Sequence, residues 1–344
     1  MASKKVGQRT WSYSGLVRVL SGAAVAGPKE SEGQLKEQFD QTYSDLYAGE
    51  DSWEKAERKM MEDAVSKAVE KAGLTMDQVD MFLAGDLLNQ NISASFTARQ
   101  NQLPLMGMFG ACSASVLTLS TGAALVDAGF SDHIAVAVSS HNATAERQYR
   151  YPTEYGGQKP NTAQWTVTGS GAGVLGFGQE GPIVRYATMG KVVDMGVKNP
   201  FDMGSAMAPA AVETITVHFQ DTGLTPDDYD WIITGDLASV GHPIAAELLA
   251  EKGWDLGGNR FKDCGLMIYH DDQQSFAGAS GCASSALVLY GHILEEMNQG
   301  RLNRVMLVAT GALMNPVSYQ QGESIPCIAH AVTLESETEG GKTG

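Results

Sequence analysis

The chain has 344 residues, 43% apolar and 19% charged, enough to bury a large core, and it carries no low-complexity tract. Its formal net charge of -16 works against phosphate backbones and anionic lipid, which are bound by clustered lysine and arginine, so no nucleic-acid partner is expected. No run reaches the roughly 20 apolar residues of a membrane span, the start from Met1 to Arg9 is polar, and Cys112, Cys264, Cys282 and Cys327 form no CxxC pair. A soluble, unexported chain with reduced thiols and no metal site is expected.

In chain order, Asp51 to Ala72 reads as an amphipathic helix: Asp51 and Glu54 have capping-box spacing, Trp53, Ala56, Met60, Ala64 and Ala68 recur at helical intervals, and Gly73 closes it. A short acidic turn leads to a buried-type strand, Val79 to Ala84, followed by Gly85, Asp86 and Leu87. The run 103 to 109 is strand-like, Gly110 to Ser113 is a turn, and a helix runs to about Asp127. The strand His133 to Ser139 opens the polar, aromatic-rich segment SSHNATAERQYRYPTEYGGQ (139–158). Gly171 to Gly176 spells GxGxxG, but within a β-rich run with no helix after it, so it reads as a strand allowing close backbone approach rather than a nucleotide site.

The second half repeats this order. AGLTMDQVDMFLAGDLL (72–88) returns as TGLTPDDYDWIITGDLA (222–238), identical at eight of seventeen positions. A helix is expected from about Ala208 to Gln220 with Pro209 in its first turn, then a strand from Tyr229 to Thr234, with Asp236 matching Asp86. FAGASGCASSALVLYGHILEEMNQG (276–300) puts Cys282 where the first half has Cys112, and a strand follows from Arg304 to Thr310. Alternating strands and helices predict an α/β architecture of mostly parallel, doubly covered sheets, with halves at 1–185 and 186–335 and a frayed tail at 336–344.

Two such halves would bring both cysteine turns to their junction. Cys112 and Ser113 open a helix, whose unpaired amides and dipole favour an anion, either a thiolate or a bound carboxylate. His141 and Asn142 end a strand at the same sheet edge, and Arg147, Arg150, Tyr149, Tyr151 and Tyr155 add a cation and flat rings. Asp86 and Asp236 could line the pocket, although an aspartate after a strand often caps the next helix. Ser170 lies in the glycine-rich strand that passes the pocket. The other histidines have no metal-site spacing.

The duplicated halves, the turn FGACSAS (109–115) and the strand TGSGAGVLGF (168–177) together resemble the thiolase and ketoacyl synthase superfamily. That resemblance implies a thiolase-like five-layered αβαβα fold with pseudo-twofold symmetry, and a homodimer. It also implies that an active member would load an acyl group on Cys112, helped by His, Asn or a second Cys from the other half. The helper is where this sequence departs: SGCASS (280–285) replaces the thiolase Gly-His-Pro, and the Gly-His-Pro at 241–243 follows a different strand. Cys327 and His330, in SIPCIAHAV, are the remaining helper candidates.

Longer strings are similar to the stage V sporulation AD proteins of spore-forming bacteria: LAGDLLNQN (83–91), SSHNATAERQYRYPTEYGGQKP (139–160), PFDMGSAMAPAA (200–211) and LNRVMLVATGAL (302–313), with AGPKE (26–30) and MEDAV (61–65). This resemblance implies binding of dipicolinate (pyridine-2,6-dicarboxylate), alone or as its calcium chelate and with no other cofactor, for uptake into the developing spore and release in germination. Membrane proteins of the same sporulation operon would be partners, and the chain would be cytoplasmic to peripheral on the forespore or spore inner membrane. A flat dianion needs amide donors or a cation and ring faces. The ligand-binding set expected is therefore Cys112, Ser113, Asp86, His141, Asn142, Arg147, Tyr155, Ser170 and Cys282. The alternative is a Cys112-dependent condensing enzyme acting on acyl thioesters.

Overall fold

The computed structural model describes residues 3–149, 159–257 and 259–337. Its first half contains β1 (Val17–Ala26), α1 (Trp53–Lys71), β2 (Met81–Gly85), α2 (Ile92–Asn101), β3 (Leu105–Gly107), α3 (Ala114–Asp127), β4 (His133–Ser140), α4 (Asn142–Tyr149) and β5 (Gly169–Phe177). The second half contains β6 (Ile183–Thr188), α5 (Met203–Thr222), β7 (Trp231–Thr234), α6 (Ala238–Glu251), β8 (Phe261–Asp263), α7 (Cys282–Leu287), β9 (Arg304–Ala312) and β10 (Cys327–Glu335). Helix α7 continues through a π turn, Val288–Ile293, into Leu294–Asn298.

Strand order is β8-β7-β9-β10-β6 in one half and β1-β5-β4-β2-β3 in the other, mirror images joined where Ile183 pairs with Arg18. The sheets are mixed rather than mostly parallel. In the first half β2 runs parallel to β3 and β4, whereas β5 is antiparallel to both β4 and β1. Among the described residues no covering crossover helix lies between short α4 and the glycine-rich strand, which returns antiparallel.

Side-chain alternation along the central strands builds the layers. Leu83, Val136, Leu307 and Val332 face inward onto Leu119 of α3 and Leu287 of α7 in one buried cluster. Their neighbours Phe82 and Ala135 pack outward on Met60, Met61 and Val65 of α1, while Met306 and Val308 pack on Met207 and Ile215 of α5. Helices α1 and α2, a sheet, α3 with α7, the second sheet, and α5 with α6 therefore make five layers. The expected thiolase-like architecture is the one observed.

Two helix starts differ from expectation. Ser52, not Asp51, caps α1, its side chain accepting from the Lys55 amide at 3.4 Å, while Asp51 pairs with Lys55 Nζ at 2.6 Å. Helix α5 starts at Met203 behind Asp202, whose carboxylate accepts from the Ser205 amide at 3.4 Å, so Pro209 lies inside the helix rather than in its first turn. Early in a helix a proline forgoes one ladder bond, and the long buried apolar stripe that follows outweighs that loss.

Candidate functional site at the junction of the halves

Cys112 lies in a 3-10 turn, Ala111–Ser113, directly before α3. Ala111 is left-handed (φ 49°), which turns the chain sharply enough to present the next side chain inward. The turn rests on β9 of the other half: a Cβ on Gly311 would lie 2.3 Å from the Gly110 carbonyl oxygen, so only glycine lets the two approach. The paired turn at Gly281 and Cys282 meets it reciprocally. Cys282 Sγ donates to the Ala111 carbonyl at 3.1 Å, and the Gly281 amide lies near the Cys112 sulfur.

Asp236 completes this junction. It is almost fully buried, accepts from Thr310 Oγ1 at 2.6 Å and from the Gly281 amide at 3.1 Å, and lies beside the Cys112 thiol. Burial pushes its carboxyl up to about 7, opposed by these hydrogen bonds. Burial, reinforced by the Asp236 charge and by Cys282, drives the Cys112 thiol well above its ordinary range. The helix start was expected to lower it. A helix terminus contributes about 0.3–1 kcal/mol, less than one pKa unit, whereas full burial moves a group by about 3–5 units. Burial wins, and Cys112 is held as a thiol.

The repeated Gly-Asp-Leu motifs have divided their labour. Asp86 accepts from the amides of Leu88 and Ala94, both at 2.9 Å, and so caps α2. Its counterpart Asp236 does not cap α6. Asp263, at the end of β8, takes that place by accepting from the amides of Leu237 at 2.8 Å and Ala238 at 3.0 Å. Asp236 is thereby released to face Cys112. The only sequence signal pointing to it was its repeat equivalence to Asp86.

A cavity of about 40 Å3 opens beside the thiol, with Cys112, Thr166, Ser280 and Gly281 on its polar side and Leu87, Tyr149 and Met314 among its apolar walls. That volume holds a few waters. A wider recess of about 520 Å3, bounded by Asn89, Phe109 and Asn315, shares Tyr149 and Met314 with it and leads outward. The Tyr149 hydroxyl donates to the Leu87 carbonyl, which fixes the ring as a wall.

Of the residues expected here, Cys112 lines the cavity, and Cys282 braces it from behind. Ser113 donates to the Gly110 carbonyl at 2.6 Å and Ser170 to the Val138 carbonyl at 2.9 Å, so both hydroxyls are spent on backbone. His141 is fully buried, bonded through Nε2 to the Leu46 carbonyl at 2.8 Å and through Nδ1 to the Ala143 amide at 3.2 Å; burial holds its pKa down near about 4, leaving a neutral ring that starts α4. The Asn142 backbone amide donates to Thr168 Oγ1 at 3.0 Å, and the residue is not among those lining the cavity. Arg147 pairs with Glu54 and lies 5.3 Å from the Trp53 ring centroid, drawn onto α1 by opposite charge and a ring face. Tyr155, with Arg150 and Tyr151, lies outside the described residues.

The helper candidates do not line the cavity: His330 Nδ1 accepts from the Gly190 amide at 3.1 Å, and Cys327, which pairs with the cavity-lining Ala312, has its Sγ 3.5 Å from the Ile325 carbonyl. His242, set aside from the sequence, stacks on Phe261 with centroids 4.2 Å apart. Among the described residues no group of three His, Cys, Asp or Glu could hold a metal.

Known proteins share this architecture. The chain is similar to 3-oxoacyl-[acyl-carrier-protein] synthase III from Aquifex aeolicus VF5, with 14% identity, a TM-score of 0.58, and 93% of this chain and 99% of that chain covered. It is also similar to a single-residue variant of Xanthomonas campestris OleA, with 14% identity, a TM-score of 0.59, and coverage of 96% and 99%. Identities this low establish the fold alone. A stage V sporulation protein AD from Bacillus subtilis (strain 168) is 54% identical over 332 residues, covering 96% of this chain and 98% of that protein. The family model for stage V sporulation protein AD (SpoVAD) matches residues 7–335. On these matches, which span both halves and the Cys112 junction, the chain belongs to the stage V sporulation protein AD family.

Proposed function

We propose that this sporulation protein binds dipicolinate, or its calcium chelate, in the Cys112 cavity for uptake into the developing spore and release at germination, and that it performs no acyl transfer. The observation that carries this reading is the setting of Cys112: a buried thiol beside the buried Asp236 carboxyl, with no imidazole lining the cavity among the described residues. A condensing enzyme needs a thiolate and an acid/base partner. A ligand pocket needs flat walls and polar groups, and Tyr149, Met314 and the Ser280 side chain line the cavity in those roles.

Calorimetric titration with dipicolinate, with and without calcium, should give saturable heat. Cys112→Phe should weaken it by at least about tenfold by filling the cavity, and Arg147→Ala should leave it unchanged, because that side chain is engaged on α1. No heat in either condition sinks the reading. Intact-mass measurement after incubation with acyl-coenzyme A donors should show no adduct, and an acyl group on Cys112 would establish the enzyme instead.

Work at the forespore membrane is assigned to membrane-bound proteins of the same operon; among the described residues no helix is long and apolar enough to cross a membrane. A homodimer through β3 is part of the same proposal. Leu105, Met106 and Phe109 are exposed on this edge, with Ile92 and Phe96 beside them, whereas the equivalent edge β8 carries Lys262. An uncharged apolar edge strand invites antiparallel pairing with a second copy. Light scattering should give twice the chain mass for the wild type and a monomer for Met106→Lys; a wild-type monomer at micromolar concentration refutes this part.

A further inference from the structure

On its first-half side the Cys112 cavity is walled by Leu87, which follows β2, and by Ala145 and Tyr149 of α4. These are tied together, since the Tyr149 hydroxyl and Gln148 Nε2 both donate to the Leu87 carbonyl, the amide at 2.9 Å. Helix α1 holds α4 from behind at two points one turn apart. Glu54 pairs with Arg147 in a half-exposed ion pair, a kind that contributes little. Glu57, fully buried, meets the hydroxyl of Thr144, the neighbour of Ala145, at 3.0 Å and that of Ser139 on β4 at 2.9 Å.

The titratable groups acting on Glu57 are Asp86, a like charge at the end of β2, and Cys282 of α7 across the junction. Helix α2 brings uncharged Ser93, and β1 and β5 face α1 through Ala23, Val25, Ala172 and Val174. The charged groups of α4 are engaged, Glu146 with Lys159 at 2.7 Å and Arg147 with Glu54, and its His141 ring is neutral. On α1 itself Arg58 pairs with Glu62 at 3.3 Å. Burial first, then the Asp86 charge, pushes the Glu57 carboxyl up to about 8, so it carries a proton at neutral pH.

That proton has a place to go. A helical threonine gives its one hydroxyl hydrogen to the carbonyl three or four residues back, and Thr144 Oγ1 lies 3.0 Å from the His141 carbonyl. The hydrogen between Thr144 and Glu57 then comes from Glu57. Ionised, Glu57 would leave two acceptors competing for one hydrogen and set a second buried charge near Asp86, behind the cavity wall.

We infer that Glu57 is a positioning residue for the Cys112 cavity: protonated, it donates to Thr144 and holds α4 as the cavity wall, and an anionic ligand binds in step with that proton. The inference rests on the reading of the cavity as the dipicolinate pocket. Calorimetric titration of the full chain with pyridine-2,6-dicarboxylate, with and without calcium, tests it in wild type, Glu57→Gln and Glu57→Ala. The carboxyls of the ligand titrate far below neutral pH, so its own charge stays fixed. Wild-type affinity should fall at least about threefold between about pH 7 and about pH 9. Glu57→Gln, whose amide also donates to Thr144, should retain the affinity seen at neutral pH and lose most of that fall. Heats compared in Hepes and Tris, buffers of different ionisation enthalpy, should show the wild type taking up more protons per bound ligand than Glu57→Gln. Asp236, raised to about 7, acts in both proteins, so the difference between them reports Glu57. Glu57→Ala, which removes the partner of Thr144, should bind more weakly than either at neutral pH; if it does not fold, the glutamine variant decides. Equal pH dependence and equal proton uptake in wild type and Glu57→Gln overturn the inference and leave the pocket standing, as does wild-type affinity in Glu57→Ala. No heat from any of the three overturns the pocket and the inference together.

Discussion

Gly281→Val is expected to destabilise the chain by about 2–5 kcal/mol, the sum of a positive-φ penalty of about 1–2 kcal/mol and an overpacking cost of about 1–3 kcal/mol. Gly281 has φ 101°, and a Cβ there would lie 2.7 Å from Ser140 Oγ and 3.1 Å from Thr166 Cγ2. Ser140 cannot swing aside freely, because its hydroxyl donates to the Val167 carbonyl at 2.8 Å and accepts from the Ala283 amide at 3.2 Å. The Gly281 amide that donates to Asp236 beside Cys112 would be displaced, so ligand heat should vanish with the stability. Urea unfolding and calorimetry on one preparation measure both. A loss below about 1 kcal/mol would mean that the turn yields and the junction is looser than its contacts imply.

Wild-type stability should fall as pH rises from about 6.5 to about 8, above the range in which His141, His218 and His330, each held near about 4 by burial, act in the opposite direction, and Glu57→Gln should remove much of that fall. Glu57 is fully buried on α1, near Asp86, and burial with the Asp86 charge pushes it from 4.5 up to about 8. Its oxygens meet Ser139 Oγ at 2.9 Å and Thr144 Oγ1 at 3.0 Å, while the Thr144 hydroxyl is also 3.0 Å from the His141 carbonyl. One hydroxyl has one proton. If Thr144 gives it to His141, Glu57 must donate to Thr144, as a protonated acid or a glutamine amide would. Between the unfolded and folded values the native chain binds a proton that the unfolded chain has released. Each such group therefore lowers stability by up to about 1.4 kcal/mol per pH unit, levelling off above its folded pKa. Asp236, raised from 3.8 to about 7, adds a second contribution in the lower part of this window. Urea midpoints at pH 6.5 and 8.5 are the measurement. A glutamine variant with the wild-type pH slope would show that Glu57 is ionised in the fold.

The Cys112 turn was readable because its signals are local: a small-residue turn, an apolar run before it and a helical stripe after it all act within a dozen residues. The antiparallel return of β5 and the early start of α5 were not, since packing across the layers outweighs the weak preferences of a proline or a glycine string. Arg147 and His141 looked like pocket groups by position along the chain. Arg147 instead finds Glu54 and Trp53, and His141 finds Leu46, partners more than 90 residues away.

From the sequence alone came the duplication, the order of elements, the placement of Cys112 and Cys282 in equivalent turns, and the strand nature of the GxGxxG string. These follow from periodicity and turn chemistry, which depend on neighbours along the chain. Only the tertiary structure decided which aspartate of the repeated pair meets the thiol, and that the thiol stays protonated. Both depend on burial and on contacts among Cys112, Asp236 and Gly281, which the fold brings together from opposite halves.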